Sequence, residues 1–489
     1  MVSTRIAIER GSSVPLYRQL RLSLEHEIAT GALDPNLALP SSRALARELG
    51  LSRNTVNAAY AELEAEGFVE ARPRRGLVVN RDMVGEALRG HAPSESHTVE
   101  WARHLRPRPT SDLAEIEKVR DWRQYPYPFV GGQVDHSTFP VLPWSRALRE
   151  ALRPPHQHFS LRDGVDVDDP ELLRQLCRSV LPARGIQVDP DQVLVTLGSQ
   201  QGLDLLARAV LHPGARVGVE EPGYPDTRHV LGMAGAQMVS LPVDEAGVRP
   251  PEEGAGLDLV ALTPSHHSPT NVTLSAARRR QILRRAALDD FLVVEDDYES
   301  ELRYEGSPTP ALRAMPDSER VIYLGTFSKF IAPGLRLGYL VAAPDLIAEL
   351  RYLRRYILRH PSGHLQRAMA LFIAEGHYHR TIRRRRSSLS QRWSQLHTSL
   401  DRHLGWPVPA PPGGGSLWLP GPGELDAAVV VQQALRAGVV VERGDTYFRE
   451  PSAQRNHLRL GFAAIPVESI DPGIRALAGV LREHLAERA

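Results

Sequence analysis

The stretch "GTFSKFIAPGLRLGY", residues 325–339, carries one of only two lysines in this chain. The 489 residues include 59 lysines and arginines together, and all but Lys118 and Lys329 are arginines. Arginine matches lysine in charge and exceeds it in hydrogen bonding, but it cannot readily lose a proton to become a nucleophilic amine. Lys329 is therefore either an ordinary surface cation or a site of amine chemistry, and the surrounding sequence has to decide.

The sequence on both sides of this stretch predicts a buried, largely parallel sheet. From about residue 130 onward, apolar runs that stop at glycine or polar residues alternate with amphipathic helices. Such runs are typical of strands buried on both faces, and ligands of such folds bind beyond the carboxyl ends of the strands. The clearest runs are "QVLVTLG" (192–198), "ARVGVEEPGY" (215–224), "LDLVALTPS" (257–265), "FLVVEDDY" (291–298) and "RVIYLGTFSK" (320–329).

Polar side chains follow these runs where chemistry is expected. Asp296 or Asp297 ends one run and could keep a ring nitrogen protonated, and the Tyr298 phenol stands beside them. The N–H groups of Ser199 and Gln200 begin a helix after a glycine turn and could bind an anion. Taken singly, each feature has a plainer explanation as a solvated turn or ordinary packing.

Further candidates lie in the same region. Tyr224 could stack on a flat ring, while Thr326 and Arg336 flank Lys329 and could contact a phosphate. Arg459 lies in a short apolar strand, where an arginine is costly to bury unless an anion meets it. A pyridoxal phosphate site requires a lysine, a carboxylate, a phenol, a stacking aromatic ring and a group of donors that binds the phosphate. Their joint occurrence favours amine chemistry at Lys329.

Before residue 80 the pattern predicts three short helices. Apolar residues four apart in "VPLYRQLRLSLEHEIATG" (14–31) form one helix face. A second helix begins after Ser41 or Ser42 and stops at Gly50, and a third begins after Ser52. Two helices joined through a glycine turn are typical of a helix-turn-helix.

The start of the third helix presents Arg53 and Asn54, which suit guanine and adenine edges in a major groove. "FVEARPRRGLVVN" (68–80) predicts two strands around a basic turn, from which Arg75 could reach the DNA backbone or minor groove. A small helical interaction domain with solvated charges is the alternative explanation.

The stretch "LPSSRALARELGLSRNTVNAAYAELEAEGFVE" (39–70) resembles the winged helix-turn-helix of GntR-family transcription regulators. The resemblance implies binding to double-stranded operator DNA. This chain has Arg74 where the first glycine of the family's wing is common. The contact residues that the resemblance implies are Arg43, Ser52, Arg53, Asn54, Thr55 and Gly76.

The large region is similar to fold-type I, class I aminotransferases. With the N-terminal region, the whole chain resembles the MocR family of chimeric regulators, which includes the GabR and PdxR types. The motifs that carry this resemblance are "VTLGSQQGLDLLARAV" (195–210), "VEEPGYP" (219–225), "TPSHHSPTNVTLS" (263–275), "VVEDDYESELRY" (293–304) and "VIYLGTFSKFIAPGLRLGYLV" (321–341).

This resemblance implies an α/β domain that binds pyridoxal phosphate. Lys329 would form the Schiff base with the cofactor, Asp296 would pair with its pyridine nitrogen, and Tyr298 would approach its ring oxygen. Tyr224 would stack on the ring, and Arg459 would bind the α-carboxylate of an effector. The residues implied to hold the phosphate are Ser199, Gln200, Thr326 and Arg336.

The chain departs from the family pattern at three places. "SHHSPTN" (265–271) replaces the common S-H-Q-F-P-T-G, although Asn271 tolerates the left-handed backbone that glycine would take. "HFSLRDGVDVDDPELLR" (158–174) is longer than the usual segment, and "PPGGGSLWL" (411–419) lacks a histidine often found there. The resemblance therefore does not supply the identity of the effector.

Residues 351–392 hold eleven arginines and a single acid, Glu375. One explanation is a surface for the DNA backbone or for another domain. The other is a long helix with a solvated basic face, and the pattern favours this second explanation.

Length and composition limit the domain organisation and the class of protein. We expect a mainly α winged helix-turn-helix over 1–80, a linker over 81–129 and the α/β domain over 130–489. The net charge of +1 excludes a polybasic coat for nucleic acid, and the single cysteine excludes a disulfide framework or a zinc cluster. With neither an apolar run that could span a bilayer nor the apolar core of a signal peptide, we expect a cytoplasmic protein, and the resemblance favours a homodimer without a metal.

Three functional hypotheses follow from these observations. The leading one is a transcription regulator that senses an amine, an amino acid or the cofactor itself. The second is an active aminotransferase with an attached DNA-binding module, and the third is a regulator whose large domain is only a dimerisation scaffold. The residues do not separate the first two, because both need the same lysine chemistry, whereas the third predicts no cofactor. The sequence gives neither the operator nor the sign of regulation.

Overall fold

The chain divides into two compact units, residues 1–108 and 109–489. The computed structural model describes residues 6, 8–33, 38–80, 99–105, 110, 113, 115–306, 309–329, 331–450 and 454–488. The first part of the predicted linker, residues 81–98, lies outside the described residues. In the part of the chain that the structure describes, no helix is both long enough and apolar enough to cross a membrane.

The first unit contains three helices and a β-hairpin. Leu20, Leu24 and Ile28 are fully buried, so the four-residue apolar spacing forms the helix face that it predicts. This face packs with Val56 and Leu63 from the third helix. The elements are α1 (Leu16–Ala29), α2 (Ser42–Leu49), α3 (Arg53–Ala65), β1 (Val69–Arg72) and β2 (Gly76–Val79).

The predicted helix ends of this unit are confirmed. The Ser41 hydroxyl accepts a hydrogen bond from the Ala44 N–H at the start of α2, and Gly50 ends that helix with a φ of 64°. The Ser52 hydroxyl accepts from the Thr55 N–H at 3.0 Å and so caps α3. These caps fix where α3 begins, and therefore which side chains stand at its N-terminus.

The hairpin has regular antiparallel pairing despite its unusual turn. Arg72 pairs with Gly76, and Arg74 between them has a φ of 63°. Arg74 thus adopts the left-handed backbone that the glycine of other wings would take, which costs an L-residue roughly 1–2 kcal/mol. The wing therefore forms in this chain with a cation at its tip.

The second unit is built on an eight-stranded sheet whose strands include all five predicted apolar runs. Its order is β4-β11-β10-β9-β8-β5-β6-β7, with β11 and β7 antiparallel to their neighbours. The strands are β4 (Val193–Thr196), β5 (Arg216–Glu221), β6 (Gln237–Asp244), β7 (Gly247–Val248), β8 (Leu259–Leu262), β9 (Leu292–Asp296), β10 (Val321–Thr326) and β11 (Gly338–Val341).

Helices cover both faces of this sheet, so that strands β4, β8 and β10 are buried throughout. One apolar core gathers side chains of α7 and α8, and another gathers those of α9. The helices of this unit up to residue 374 are α4 (Val141–Glu150), α5 (Pro154–Leu161), α6 (Pro170–Gln175), α7 (Ser199–Val210), α8 (Pro225–Met233), α9 (Ala276–Asp289), α10 (Pro344–Leu358) and α11 (Gly363–Ala374).

A smaller three-stranded sheet of order β12-β15-β14 follows in the chain. It packs with two long helices whose apolar residues join the largest core of the unit. The remaining elements are α12 (His377–His403), β12 (Ser416–Pro420), α13 (Ala427–Arg436), β13 (Val439–Val440), β14 (Glu442–Arg443), β15 (His457–Gly461) and α14 (Val467–Ala486).

The last part of the predicted linker lies in the second unit. Strand β3 (Tyr127–Pro128) pairs in parallel with β13, and the Phe129 N–H donates to the Val440 carbonyl at 2.8 Å. Phe129 is fully buried. Sequence periodicity missed this segment, because a two-residue strand leaves no periodic signal.

The arginine-rich stretch is not a uniformly solvated basic face, so that prediction is wrong in part. Four of its eleven arginines are buried. Each has a specific oxygen partner inside the unit: a carboxylate for three of them and the Ile331 carbonyl for the fourth. The buried four are Arg354, Arg367, Arg385 and Arg392, whereas Arg355, Arg359, Arg380, Arg383 and Arg384 are exposed.

Candidate functional site

One cavity of about 300 Å³ in the second unit gathers every predicted cofactor and effector residue. These residues come from positions spread over more than half of the chain, and the structure brings all of them to the same place. They are Ser199, Gln200, Tyr224, Asp296, Tyr298, Thr326, Lys329, Arg336 and Arg459.

The sheet topology explains why these residues meet. Strands β5, β8, β9 and β10 run in parallel, and β4 shares their direction because both β4 and β10 are antiparallel to β11. Their carboxyl ends therefore share one edge of the sheet. Asp296 ends β9, Thr326 ends β10, and Ser199 begins the helix after β4.

Lys329 is half-buried, and its Nζ lies 5.8 Å from the centroid of the Tyr298 ring. Burial lowers the pKa of the Lys329 ammonium, and the nearby Arg459 and Lys118 charges lower it further, while Glu299 and Asp296 partly offset them. A lowered pKa increases the fraction of neutral amine, which is the nucleophilic form. The environment of Lys329 is therefore suited to amine chemistry.

Three successive acids, Glu295, Asp296 and Asp297, stand at the end of β9, and their surroundings differ. The Glu295 carboxylate accepts hydrogen bonds from the Leu312 and Arg313 N–H groups at 2.8 and 2.9 Å. Asp296 lines the cavity, and its buried Oδ1 has no hydrogen-bond partner among the described residues. Burial raises the pKa of Asp296 to about 7, with a contribution from the neighbouring Asp297.

Asp297 faces away from the cavity and is held by two donors. Arg184 Nε donates to its Oδ2 at 2.8 Å, and the Tyr323 hydroxyl donates to the same oxygen at 2.7 Å. Burial alone would raise the pKa of Asp297, but the Arg184 charge and these hydrogen bonds hold it below its ordinary value. Asp297 Oδ1 is also buried without a partner among the described residues, but Asp297 does not line the cavity. Of the two aspartates that the sequence left as alternatives, Asp296 is therefore the one available to a ligand.

The opposite end of the cavity is built to receive an anion. Ser199 is the first residue of α7, so its backbone N–H and those after it are free of partners within the helix. Gly198 has a φ of 84°, and a Cβ there would lie 3.1 Å from Arg336 Nη2. Arg336 Nη2 donates to the Leu197 carbonyl at 2.9 Å, which orients the guanidinium beside this turn.

Arg459 reaches the cavity already paired with a carboxylate. Its Nη1 lies 2.7 Å from Glu442 Oε2, and Glu442 Oε1 accepts the Gly131 N–H at 2.9 Å. The buried Arg459 Nε has no hydrogen-bond partner among the described residues. Glu442 therefore orients the guanidinium through Nη1 and leaves the Nε side for another anion.

Tyr224 is 37% exposed, and its hydroxyl donates to Asp226 Oδ2 at 2.9 Å. Burial raises the pKa of Tyr224, and Asp226 raises it further, so the ring remains neutral. Asp226 also lines the cavity. A neutral ring held by its hydroxyl group is suited to stacking on a flat ligand.

In the first unit, the predicted DNA contacts lie at two exposed places. Arg53 and Asn54 are exposed on the first turn of α3, directly after the Ser52 cap. Arg75 and Gly76 are exposed at the hairpin turn, and Arg43 is exposed on α2. Thr55 is half-buried because its hydroxyl pairs with that of Ser52 at 2.8 Å.

The acids on the later part of α3 do not cover this surface. Arg21 on α1 lies 2.7 Å from Glu66 and 3.4 Å from Glu62. These contacts hold the acidic residues near the C-terminal end of α3, away from Arg53. The N-terminal end of the helix is therefore left with basic and amide side chains.

Comparison with known proteins matches both units. Residues 136–477 match the sequence model described as aminotransferase class I and II, and residues 16–79 match that of the gntR family of bacterial regulatory proteins. The HTH-type transcriptional regulator TauR of Rhodobacter capsulatus is 39% identical over 96% of this chain and 98% of its own length. The HTH-type pyridoxine biosynthesis transcriptional regulator PdxR of Corynebacterium glutamicum is 35% identical over 81% of each.

The chain belongs to the MocR-type transcription regulators, which join a GntR domain to a class I aminotransferase domain. Among solved structures, the α-aminoadipate aminotransferase LysN of Thermus thermophilus, complexed with N-(5'-phosphopyridoxyl)-L-leucine, is 25% identical with a TM-score of 0.70. The alignment covers 79% of this chain and 100% of LysN. Pyridoxal phosphate is the cofactor of this fold, so the predictions of family, fold and cofactor are confirmed.

The cavity of this MocR-type chain fits that cofactor. The unpartnered carboxylate oxygen of Asp296 is suited to a protonated pyridine nitrogen, and the Ser328 hydroxyl, also buried without a partner, lines the same cavity. The start of α7 and Arg336 supply the donors and positive charge that a phosphate requires. The Asp296 and Ser328 oxygens lack partners within the described residues, and a bound cofactor would provide them.

Sequence reasoning missed several residues of the cavity. Ser328, Glu442 and Gly131 line it or support it, yet none stands in a pattern that marks it. The need for glycine at position 131 is evident only from the structure, because a Cβ there would lie 2.2 Å from Arg459 Nη1. Lys118 is distinguished in the sequence only by the scarcity of lysine.

The residues in 265–271 that depart from the family pattern mostly have structural explanations. Asn271 has a φ of 59°, as expected, and its amide donates to the Ser416 carbonyl. His267 is buried between the Thr270 hydroxyl at 2.7 Å and the Pro222 carbonyl at 3.0 Å, and burial lowers its pKa to about 3. Ser268 alone among these three lines the cavity. It is therefore the replacement that faces a ligand.

Proposed function

We propose that the protein regulates transcription by sensing a small amine or amino acid at the pyridoxal phosphate cavity and changing its affinity for operator DNA. The observation that supports this proposal most directly is the gathering of nine complementary side chains in one cavity. A domain that served only as a scaffold would have no reason to retain them. The cofactor itself as the sensed molecule is the other form of this hypothesis.

The proposed role of Lys329 is to exchange its amine for that of the effector. Bound pyridoxal phosphate supplies an aldehyde carbon that condenses reversibly with amines. The lowered pKa of Lys329 provides the neutral amine that attack requires, and Glu299 and Asp296 partly offset this shift. Tyr298, whose ring lies next to Lys329, would hydrogen-bond the ring oxygen of the cofactor.

The proposed role of Arg459 is to bind the acid group of the effector. Its Nε side is free within the described residues, while Glu442 holds the opposite side at 2.7 Å. Burying a further carboxylate beside Glu442 would be unfavourable without the guanidinium between them. We therefore expect the acid group to approach along the Nε edge.

An active aminotransferase is the second candidate, and the presence of Arg459 favours it equally. Turnover requires, besides amine exchange, that a base move the α-proton of the substrate. The same Lys329 could do this once its amine is released. Incubation with an amino acid and a keto acid separates the two candidates: sustained formation of the second amino acid indicates an enzyme, whereas spectral change without turnover indicates a sensor.

The test of the proposed function joins two measurements on the full chain loaded with cofactor. The absorbance spectrum is recorded with a panel of amines and amino acids, and operator binding is measured with the same compounds. We expect at least one compound to change both the absorbance spectrum and the affinity for operator DNA. A compound that alters the spectrum without altering DNA binding would leave only the enzyme hypothesis for that compound.

The two basic positions of the first unit should affect DNA binding differently. Replacing Arg53 by alanine should cost about 1–3 kcal/mol at the specific operator, because a base-edge contact is lost. Replacing Arg75 by alanine should weaken binding to all sequences similarly and reduce the slope of its salt dependence by about 1. Titrations of operator and unrelated DNA at several salt concentrations measure both. Unchanged operator affinity in Arg53→Ala would contradict the assignment of α3 as the recognition helix.

Asp296 should reduce the stability of the cofactor-free protein in a pH-dependent way. Because burial raises its pKa to about 7, the folded state holds an unfavourable carboxylate above pH 7 and gains a proton as the pH falls through 7. Asp296→Asn should therefore stabilise the cofactor-free protein by about 1–3 kcal/mol at pH 8 and by less at pH 5. It should also weaken cofactor binding.

Thermal unfolding at the two pH values and equilibrium titration with pyridoxal phosphate measure these effects. The Glu295→Gln variant is the comparison for the cofactor titration, because the Glu295 carboxylate bonds to backbone N–H groups and does not line the cavity. Equal stability of wild type and Asp296→Asn at pH 8, or equal cofactor affinity, would contradict the assigned role.

We further propose a cytoplasmic homodimer. Exposed apolar side chains on α10 support self-association, since Tyr352, Tyr356 and Ile357 are 60%, 82% and 43% exposed. Sedimentation at several concentrations tests the oligomeric state. The DNA contacts of Arg43, Ser52, Thr55 and Gly76 belong to the same proposal.

A further inference from the structure

The only two lysines of the chain line the same cavity. Lys118 stands with Lys329 among its lining residues, together with Ile116 from the same segment. Lys118 lies outside both matched regions, residues 16–79 and 136–477. The cavity therefore has a wall that neither family match includes.

The other charged groups of the cavity have proposed or observed partners. Arg459 is paired with Glu442 at 2.7 Å, and Asp226 accepts from the Tyr224 hydroxyl at 2.9 Å. In the proposed function, Arg336 meets the phosphate and Asp296 meets the pyridine nitrogen. Lys118 makes no hydrogen bond or ion pair with the described residues, and its side chain is exposed. It is thus the cation left for a further anion.

Lys118 lines the same cavity as Lys329 and Arg459. Its charge acts on the Lys329 ammonium, as that of Arg459 does. The phosphate end already has Arg336 and the N–H groups of α7. An anion that meets Lys118 is therefore carried by the effector.

We propose that Lys118 binds the acid group of the effector together with Arg459, so that the cavity selects primary amines that carry an acid group, such as amino acids. A lysine ammonium and a guanidinium on two sides of one carboxylate would stabilise it beside Glu442. Ile116 would cover the apolar carbons between the amine and the acid group. This inference rests on the proposed function, because it assumes that amines bind at Lys329.

Lys118 also gives the effector a contact with the segment that leads into the second unit from the DNA-binding region. This segment precedes Phe129, whose buried side chain and hydrogen bond to Val440 anchor the chain. An acid group on Lys118 therefore acts on a residue nearer in sequence to the DNA-binding unit than any other charged residue predicted to contact the ligand. Lys118 would then take part both in sensing the acid group and in regulating DNA binding.

The test compares acids with their neutral amides. Glycine and β-alanine, each beside its amide, are titrated into the cofactor-loaded full chain, and the change in cofactor absorbance gives the apparent affinities. Lys118→Gln removes the charge, Lys118→Arg keeps it, and Arg120→Gln removes an exposed charge that does not line the cavity. Operator affinity is measured separately with each compound.

We expect Lys118→Gln to reduce the preference for acid over amide by about tenfold, while the affinity for the amide changes little. Lys118→Arg should retain most of the preference, and Arg120→Gln should retain all of it. An unchanged preference in Lys118→Gln overturns the inference, as does a loss of cofactor affinity alone, which would assign Lys118 to the phosphate. A Lys118-dependent preference with no amine effect on operator affinity would uphold the inference and reject the proposed function.

Discussion

Lys329→Ala should abolish covalent attachment of pyridoxal phosphate and the absorbance band that accompanies it. Lys329 is the cavity lysine next to the Tyr298 ring, and burial lowers its pKa toward the range where neutral amine is available. Arginine cannot replace this amine, because its guanidinium stays protonated. Borohydride reduction of wild-type protein should fix the cofactor on Lys329, which peptide mass analysis can locate.

The second lysine provides a matched control for this experiment. Lys118 lines the same cavity but is exposed, whereas Lys329 is more buried and lies next to the Tyr298 ring. Lys118→Ala should therefore keep the band and the borohydride-stable label. Label on Lys118, or a band that survives in Lys329→Ala, would show that the wrong lysine had been assigned.

The sheet and the helix-turn-helix were predictable because their signals are local. Apolar runs buried on both faces mark strands, and a serine cap followed by apolar residues at helical spacing marks α3. The short strand β3 was not predictable in this way, since its pairing with β13 depends on residues more than three hundred positions away. The burial of Arg354 against Asp168 belongs to the same class of long-range contact.

The candidate site was predictable as a set of residue types and not as an arrangement. Asp296 and Asp297 are adjacent acids, and the alternation of side chains at the end of β9 places Asp296 at the cavity and Asp297 against Arg184. Glu442 shows no signal in the sequence, because its role arises from the pairing of β14 with β15. Lys118 is evident in the sequence only through its scarcity.

The free energy that an effector can transmit is limited by the difference in its affinity for the two states of the regulator. A coupling of roughly 1–3 kcal/mol is the usual scale between two sites. If the amine at Lys329 and the acid group at Arg459 are the contacts that differ between the states, removing either should eliminate this coupling without touching the DNA-binding surface. The same linkage requires operator DNA to change effector affinity by the same factor.

Lys329→Ala and Arg459→Ala should therefore bind operator DNA as wild type does and lose the response to the effector. Arg459→Ala alone would leave Glu442 as a buried charge held only by the Gly131 N–H, a change that can cost about 3–5 kcal/mol of stability. Arg459→Ala combined with Glu442→Gln removes that charge and separates lost sensing from lost folding. Titration of the cofactor spectrum with an effector, with and without operator, measures the reciprocal effect. Identical curves for a compound that changes operator binding would contradict the coupling, because two linked equilibria cannot influence each other in one direction only.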